Sequence, residues 1–62
     1  MRKYYEVLWY TDIDLNNYET RRFGSKKQAL AYYERHKEDI DTYCWWVTYR
    51  DVDGFVLTDI IY

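Results

Sequence analysis

The sequence predicts a small α+β domain of ββαββ order, in which an antiparallel or mixed four-stranded sheet packs one of its faces against one helix. Two runs rich in β-branched and aromatic residues flank Asp53-Gly54 within Tyr43–Tyr62, and an Asp-Gly dipeptide between such runs indicates a β-hairpin. Two further runs of this kind precede residue 24, and a capped amphipathic segment separates the two pairs. At this length, residues 1–62 are expected to form a single domain.

A first strand is predicted from Lys3 to Thr11. Its alternation places Tyr5, Val7 and Trp9 on one face and Tyr4, Glu6, Leu8 and Tyr10 on the other. Glu6 marks the second set as facing away from the core, and we call that side of the sheet the outer face. Turn-forming residues fill positions 12–17, and a more polar strand follows from Tyr18 to Phe23. The charged residues of this strand are typical of a sheet edge.

A helix is predicted to begin after Ser25, because Ser25 and Gln28 have the spacing of a capping box. It is expected to end near Glu38 or Asp39. On a 3.6-residue period one line along the helix carries Ala29, Tyr33, His36 and Ile40. We therefore expect Ala29, Tyr33 and Ile40 to contact the sheet. One helix covers only one face of a four-stranded sheet, so the outer face is expected to stay uncovered.

The last two strands are predicted to form a hairpin around Asp53-Gly54. An even number of loop residues places Trp45, Val47 and Tyr49 on the helix side together with Val56, Thr58, Ile60 and Tyr62. The same loop places Trp46, Thr48 and Arg50 on the outer face together with Phe55, Leu57, Asp59 and Ile61. A three-residue loop would exchange the two sets, because side chains alternate with a period of two.

The predicted outer face is rich in apolar residues, and a contiguous exposed apolar patch usually marks an interface. The sequence therefore predicts a partner-binding surface made of Tyr4, Leu8, Tyr10, Trp46, Arg50, Phe55, Leu57 and Ile61. An acidic helix end formed by Glu38, Asp39 and Asp41 is a further candidate for contact with a basic partner. The alternative for the helix end is an ordinary solvated terminus, because exposed charges cost little.

Single-stranded nucleic acid is the alternative partner, bound through sheet aromatics with Arg21, Arg22 and Arg50. The net charge of −2 and a pI near 5.2 disfavour it, since such a chain does not attract a polyanion. No RNP-like motif is present, and the acidic residues Glu6, Glu19 and Asp59 share the sheet with the arginines.

The sequence gives no catalytic, metal or cofactor signature, and we expect a non-enzymatic protein. Asp12-x-Asp14-x-Asn16 starts like a calcium loop, but position six is Asn17 instead of Gly and position twelve is Phe23 instead of Glu. His36 and Cys44 are the only histidine and the only cysteine, which predicts a packed His and a plain strand Cys. With one cysteine and no apolar run of membrane-spanning length, a cytoplasmic protein without membrane contact is expected.

In outline, a tiny tyrosine-rich acidic domain with its helix between two hairpins is similar to many small accessory proteins of phages and mobile elements. Such proteins commonly act by binding and blocking a host protein. The resemblance is to a class and carries over no residues. It implies a non-enzymatic inhibitor of a host protein, with a homodimer as the other form of protein contact that the outer face suggests.

Overall fold

The computed structural model describes residues 2–61, and it confirms the α+β prediction. Along the chain these residues form β1 (Tyr4–Tyr10), β2 (Tyr18–Phe23), α1 (Lys26–His36), β3 (Tyr43–Arg50) and β4 (Val56–Ile61). All neighbouring strands pair antiparallel in the order β2-β1-β3-β4, so β2 and β4 are the two edges. Tyr62, which the sequence pattern placed on the helix side, lies outside the described residues.

The core lies between α1 and the central strands. Val7 and Val47 are register partners, and both are fully buried together with Ala29 of the helix. Ala29 and Tyr33 contact the core as predicted, with Tyr33 half-buried. Aromatic rings surround these small residues: the Trp9 and Trp45 rings stack with centroids 4.9 Å apart. The aromatics thus supply most of the apolar contact in this thin core.

The helix begins as the sequence predicts and ends earlier. The Ser25 side chain accepts a hydrogen bond from the Gln28 backbone N–H at 3.2 Å, which is the N-cap half of the predicted capping box. The helix ends at His36, because a turn follows in which the Asp39 N–H donates to the His36 carbonyl. Ile40 is therefore 89% exposed, and its predicted contact with the sheet is wrong.

The β3–β4 hairpin has an odd loop. Asp51 and Phe55 close it through the Asp51 N–H, which donates to the Phe55 carbonyl, and Gly54 takes a φ of +90°. Positive φ strains most L-residues, and it costs Gly nothing. The Asp51 carboxylate also accepts from the N–H groups of Asp53 and Phe55. The loop alone would exchange the predicted faces of β4.

Two irregularities in β4 shift the register along the strand. Arg50 pairs with Val56 and Tyr49 with Thr58, which leaves Leu57 unpaired with β3. Thr48 then pairs with Asp59, and Val47 pairs with Ile61. The middle of β4 consequently has the predicted faces, because the irregularity at Leu57 reverses the effect of the odd loop. The predictions for Val56 and Ile61 are wrong: Val56 shares the side of Arg50, and Ile61 shares the side of Val47.

A third irregularity lies near the start of β3. Leu8 pairs with Trp46 and Tyr10 with Tyr43, so two residues of β3, Cys44 and Trp45, stand opposite Trp9. Cys44 takes a φ of +50°, which non-Gly residues adopt rarely. Trp45 packs against the core, whereas Trp46 lies on the outer face, as predicted. A cavity opens beside Trp46 at this end of the sheet, which we call the cavity end; the end with residues 51–55 is the hairpin end.

Candidate functional site

The predicted binding surface is divided between three places. Tyr4, Leu8, Tyr10, Trp46 and Arg50 lie on the outer face, which no element of residues 2–61 covers. Phe55 and Leu57 are exposed at the hairpin end and along the β4 edge. Ile61 packs against the core from the cavity end. The eight residues therefore do not form one continuous face.

The hairpin end of the outer face holds a buried carboxylate. Glu6 is only 7% exposed, although it points away from the helix. Its Oε2 lies 3.4 Å from Arg22 Nε and its Oε1 lies 3.2 Å from Arg50 Nε. Arg50 also donates to Thr48 Oγ1 and to the Gly54 carbonyl. The sequence placed Glu6 correctly on the outer face but did not predict its burial, which results from the two long arginine side chains folding over it.

Aromatic rings extend this polar network across the outer face. The Arg22 guanidinium lies 4.6 Å from the centroid of the Tyr4 ring, and that of Arg50 lies 5.4 Å from the Trp46 ring. The Trp46 indole N–H donates to Asp59 Oδ1 at 2.8 Å. Tyr4, Trp46 and Arg50 thus already have partners within the chain, and this half of the face is less apolar than its sequence suggested.

The cavity end of the outer face is apolar. A cavity of about 590 Å³ opens there, lined mainly by Leu8, Tyr10, Tyr33, Trp45, Trp46 and Ile61. It joins the outer face to the helix side around the edge of β3, since β4 pairs with β3 only as far as Val47 among residues 2–61. The indole N–H of Trp45 is buried and has no hydrogen-bond partner within that range. A groove of this size and lining is typical of binding sites.

Sequence reasoning missed the helix-side walls of this cavity. Tyr33 and Trp45 were assigned to the core, and Lys37 and Cys44 to no site, yet all four line the cavity. No local sequence signal marks this site, because its walls come from both faces of the sheet. They meet beside the part of β3 that precedes Val47, the last β3 residue that pairs with β4 among residues 2–61.

The acidic helix end is exposed but already partly paired. His36 Nδ1 lies 2.7 Å from Asp39 Oδ2, and Asp41 occupies a turn with a φ of +65°. Glu38 lines the cavity, as does its neighbour Lys37. Lys37 Nζ is 3.0 Å from Glu34, and the hydrogen bond to Glu34 raises the pKa of Lys37. Of the three predicted acids, only Glu38 therefore borders the apolar groove.

The three arginines of the nucleic-acid alternative do not lie on one face. Arg22 and Arg50 share the outer face, where both are bound to Glu6. Arg21 lies on the helix side, with its guanidinium 5.4 Å from the centroid of the Tyr32 ring. A backbone-tracking groove needs several cations along one path, and this arrangement does not provide it.

The residues that resemble the start of a calcium loop have a structural role. The Asp12 carboxylate accepts hydrogen bonds from the N–H groups of Asn16 and Asn17, so it stabilises its own turn. Within residues 2–61, no three side chains of the His, Cys, Asp or Glu types are grouped as a metal site would require. Over the same residues, no helix has the length and apolar character to cross a membrane.

Searches of protein-family models, of curated proteins and of solved structures find no match to this chain.

Proposed function

We propose that this chain is a non-enzymatic protein-binding domain, and that its binding surface is the apolar cavity together with the adjoining outer-face residues Leu8, Tyr10 and Trp46. One observation carries the proposal: a cavity of about 590 Å³ with mainly aromatic and aliphatic walls opens at the side of the sheet. Aromatic residues around a groove are typical of the anchoring centre of protein interfaces.

A protein segment suits this site better than a small molecule or a nucleic acid. The backbone of β3 beside the cavity has no register partner on the β4 side among residues 2–61, and an extended peptide satisfies such groups by adding a strand. The net charge of −2 disfavours a polyanion. Lys37 and Glu38 at the rim carry one charge of each sign, so apolar contact decides which partner binds.

The biological role that we propose remains the one suggested by the class resemblance. The chain acts as an accessory protein of a phage or mobile element, in the cytoplasm, by binding and blocking a host protein.

The test is affinity capture on the immobilised chain, with the retained proteins quantified by mass spectrometry. Trp46→Ser should lose the specifically retained protein, because it removes the aromatic shared by the outer face and the cavity. Tyr18→Ser is the control, since Tyr18 is an exposed aromatic on the opposite edge strand. Circular dichroism establishes that both variants are folded. Equal retention by the wild type and by Trp46→Ser would contradict the proposal.

A further inference from the structure

The hairpin end of β4 carries a largely exposed aromatic side chain. Phe55 is 70% exposed, and Val52, Val56 and Leu57 are exposed as well. From Val56 to Ile61 the only charged residue is Asp59, whose carboxylate already accepts a hydrogen bond from Trp46. The other edge strand, β2, contains Glu19, Arg21 and Arg22. Charges of that kind block pairing with another chain, and β4 lacks them.

The exposed Phe55 and the cavity lie at opposite ends of the same edge strand. Phe55 directly precedes β4, whereas Ile61 ends the strand and lines the cavity. At roughly 3.3 Å per residue, at most about 20 Å of strand separates them. If two copies pair their β4 strands antiparallel, the two-fold axis brings Phe55 of each copy to the cavity end of the other. A two-fold interface requires this reciprocity between two different patches of one chain.

We propose that the chain forms a two-fold homodimer through antiparallel β4 strands, with Phe55 of each copy seated in the apolar cavity of the other. This inference rests on the proposed function, because it uses the same cavity, with a second copy of the chain in place of the host protein as the occupant. Pairing of the two β4 strands joins the two four-stranded sheets into one continuous eight-stranded sheet. Both helices lie on the same side of it, since the two-fold axis is perpendicular to the sheet.

The size of the surface fits a second copy, and its charges do not oppose one. The hairpin end that enters the partner's cavity carries Asp53 two residues before Phe55, and the cavity rim carries one charge of each sign, Lys37 and Glu38. Asp59, in the middle of the interface, is already hydrogen-bonded within its own chain. A standard interface takes about 800 Å² from each partner, which is about a sixth of the 4704 Å² surface of this chain. One edge strand, its loop and the rim of the cavity together form a surface of about that area.

The first experiment measures self-association by sedimentation over a concentration series up to the millimolar range. The wild type should form a dimer, and Phe55→Asp should weaken it by at least about 30-fold, the loss expected for an interface hot spot. Ile13→Asp is the matched control, because Ile13 is 76% exposed in the β1–β2 loop and lies away from β4. This control should dimerise like the wild type.

The second experiment cross-links the interface without altering Phe55. In a Cys44→Ser background, Thr58→Cys places one thiol at the middle of β4. In an antiparallel pair of β4 strands, residue 58 of one copy lies opposite residue 58 of the other. Mild oxidation should therefore produce a disulfide-linked dimer. Thr20→Cys in the same background is the control, because Thr20 is an exposed threonine in the middle of the other edge strand. It should remain monomeric on a non-reducing gel.

A chain that stays monomeric at every concentration overturns the homodimer, and so does equal cross-linking of the Thr58→Cys and Thr20→Cys variants. Equal weakening by Phe55→Asp and Ile13→Asp also overturns it, because the contact would then not involve Phe55. None of these results removes the proposed function, which fails separately if the wild type and Trp46→Ser retain a partner protein equally.

Discussion

The two faces of the sheet hide their central residues in different ways. On the helix side, Val7 and Val47 are buried beneath a separate layer of structure. On the outer face, Glu6 and Thr48 are buried beneath side chains that belong to the sheet itself. A face without a covering element can thus be closed at its centre by long side chains, provided that a buried charge such as that of Glu6 finds opposite charges.

This difference predicts different sensitivities. The helix side is stabilised by burial of apolar area, which depends little on salt. The hairpin end of the outer face is stabilised by ion pairs and hydrogen bonds around Glu6, one of whose partners, Arg22, is largely exposed. Exposed charge pairs weaken as salt screens them.

The largest effect should separate two neighbouring tryptophans on opposite faces. Trp45→Ala should lower the free energy of unfolding by roughly 3–5 kcal/mol, because it removes the ring between Trp9 and Tyr33. Trp46→Ala should cost only about 1–3 kcal/mol, since it removes mainly the hydrogen bond to Asp59 and the contact with Arg50. Urea unfolding of both variants measures the difference in the free energy of unfolding. Equal losses would show that the two faces of the sheet contribute equally to stability.

Removing the buried carboxylate should produce the next effect. Glu6→Ala should lower the free energy of unfolding by about 1–3 kcal/mol, because Arg50 would lose its anion at a site where its side chain is mostly buried. Glu19→Ala, an exposed change on β2, should stay within about 0.5 kcal/mol of the wild type. The part of the loss that comes from the exposed Arg22 should shrink in high salt, as urea unfolding at two salt concentrations can measure. A loss that does not depend on salt would assign the whole effect to the buried Arg50 pair and to packing.

Substitution of the helix cap should lower stability only through the helix. Ser25→Ala should cost roughly 0.5–2 kcal/mol, because the Gln28 N–H loses its acceptor at the helix start. Ser25→Gly should cost only a few tenths of a kcal/mol, since glycine is a tolerated N-cap. Thermal melts of the two variants measure the two losses of stability. A larger loss for Ser25→Gly than for Ser25→Ala would show that the side-chain hydrogen bond of Ser25 is not the cause.

The smallest effect concerns Lys37 at the cavity rim. The hydrogen bond to Glu34 raises the pKa of Lys37 above its usual 10.5. A raised pKa in the folded state means that this pair stabilises the fold below pH 10.5 and that its contribution disappears as the pH rises further. Glu34→Gln should lower the pKa of Lys37, as an NMR titration of its Nζ group can measure. An unchanged titration would assign the shift to another neighbour.

The sequence pattern predicted the order of the elements, the Ser25 cap and the opposite faces of Trp45 and Trp46, because each follows from local periodicity or spacing. It did not predict the face of Val56, which depends on the odd hairpin loop, or that of Ile61, which depends also on two register shifts in β4. Such shifts arise from pairing and twist between strands, and no single strand encodes them. The cavity was missed because its walls come from both faces of the sheet: Tyr33 and Trp46 meet beside the part of β3 that has no register partner on the β4 side among residues 2–61.

The placement of β1 has a consequence for how the chain folds. β1 comes first in the sequence, yet it lies between β2 and β3 in the sheet. Its pairs with β3 join residues that are far apart in the chain, such as Tyr4 with Arg50 and Val7 with Val47. Closing so long a segment costs entropy before any contact compensates for it, so the folding rate should depend on this step. During synthesis, the first strand must wait for β3 with one of its edges unpaired, and the β1–β2 hairpin alone is too small to be stable.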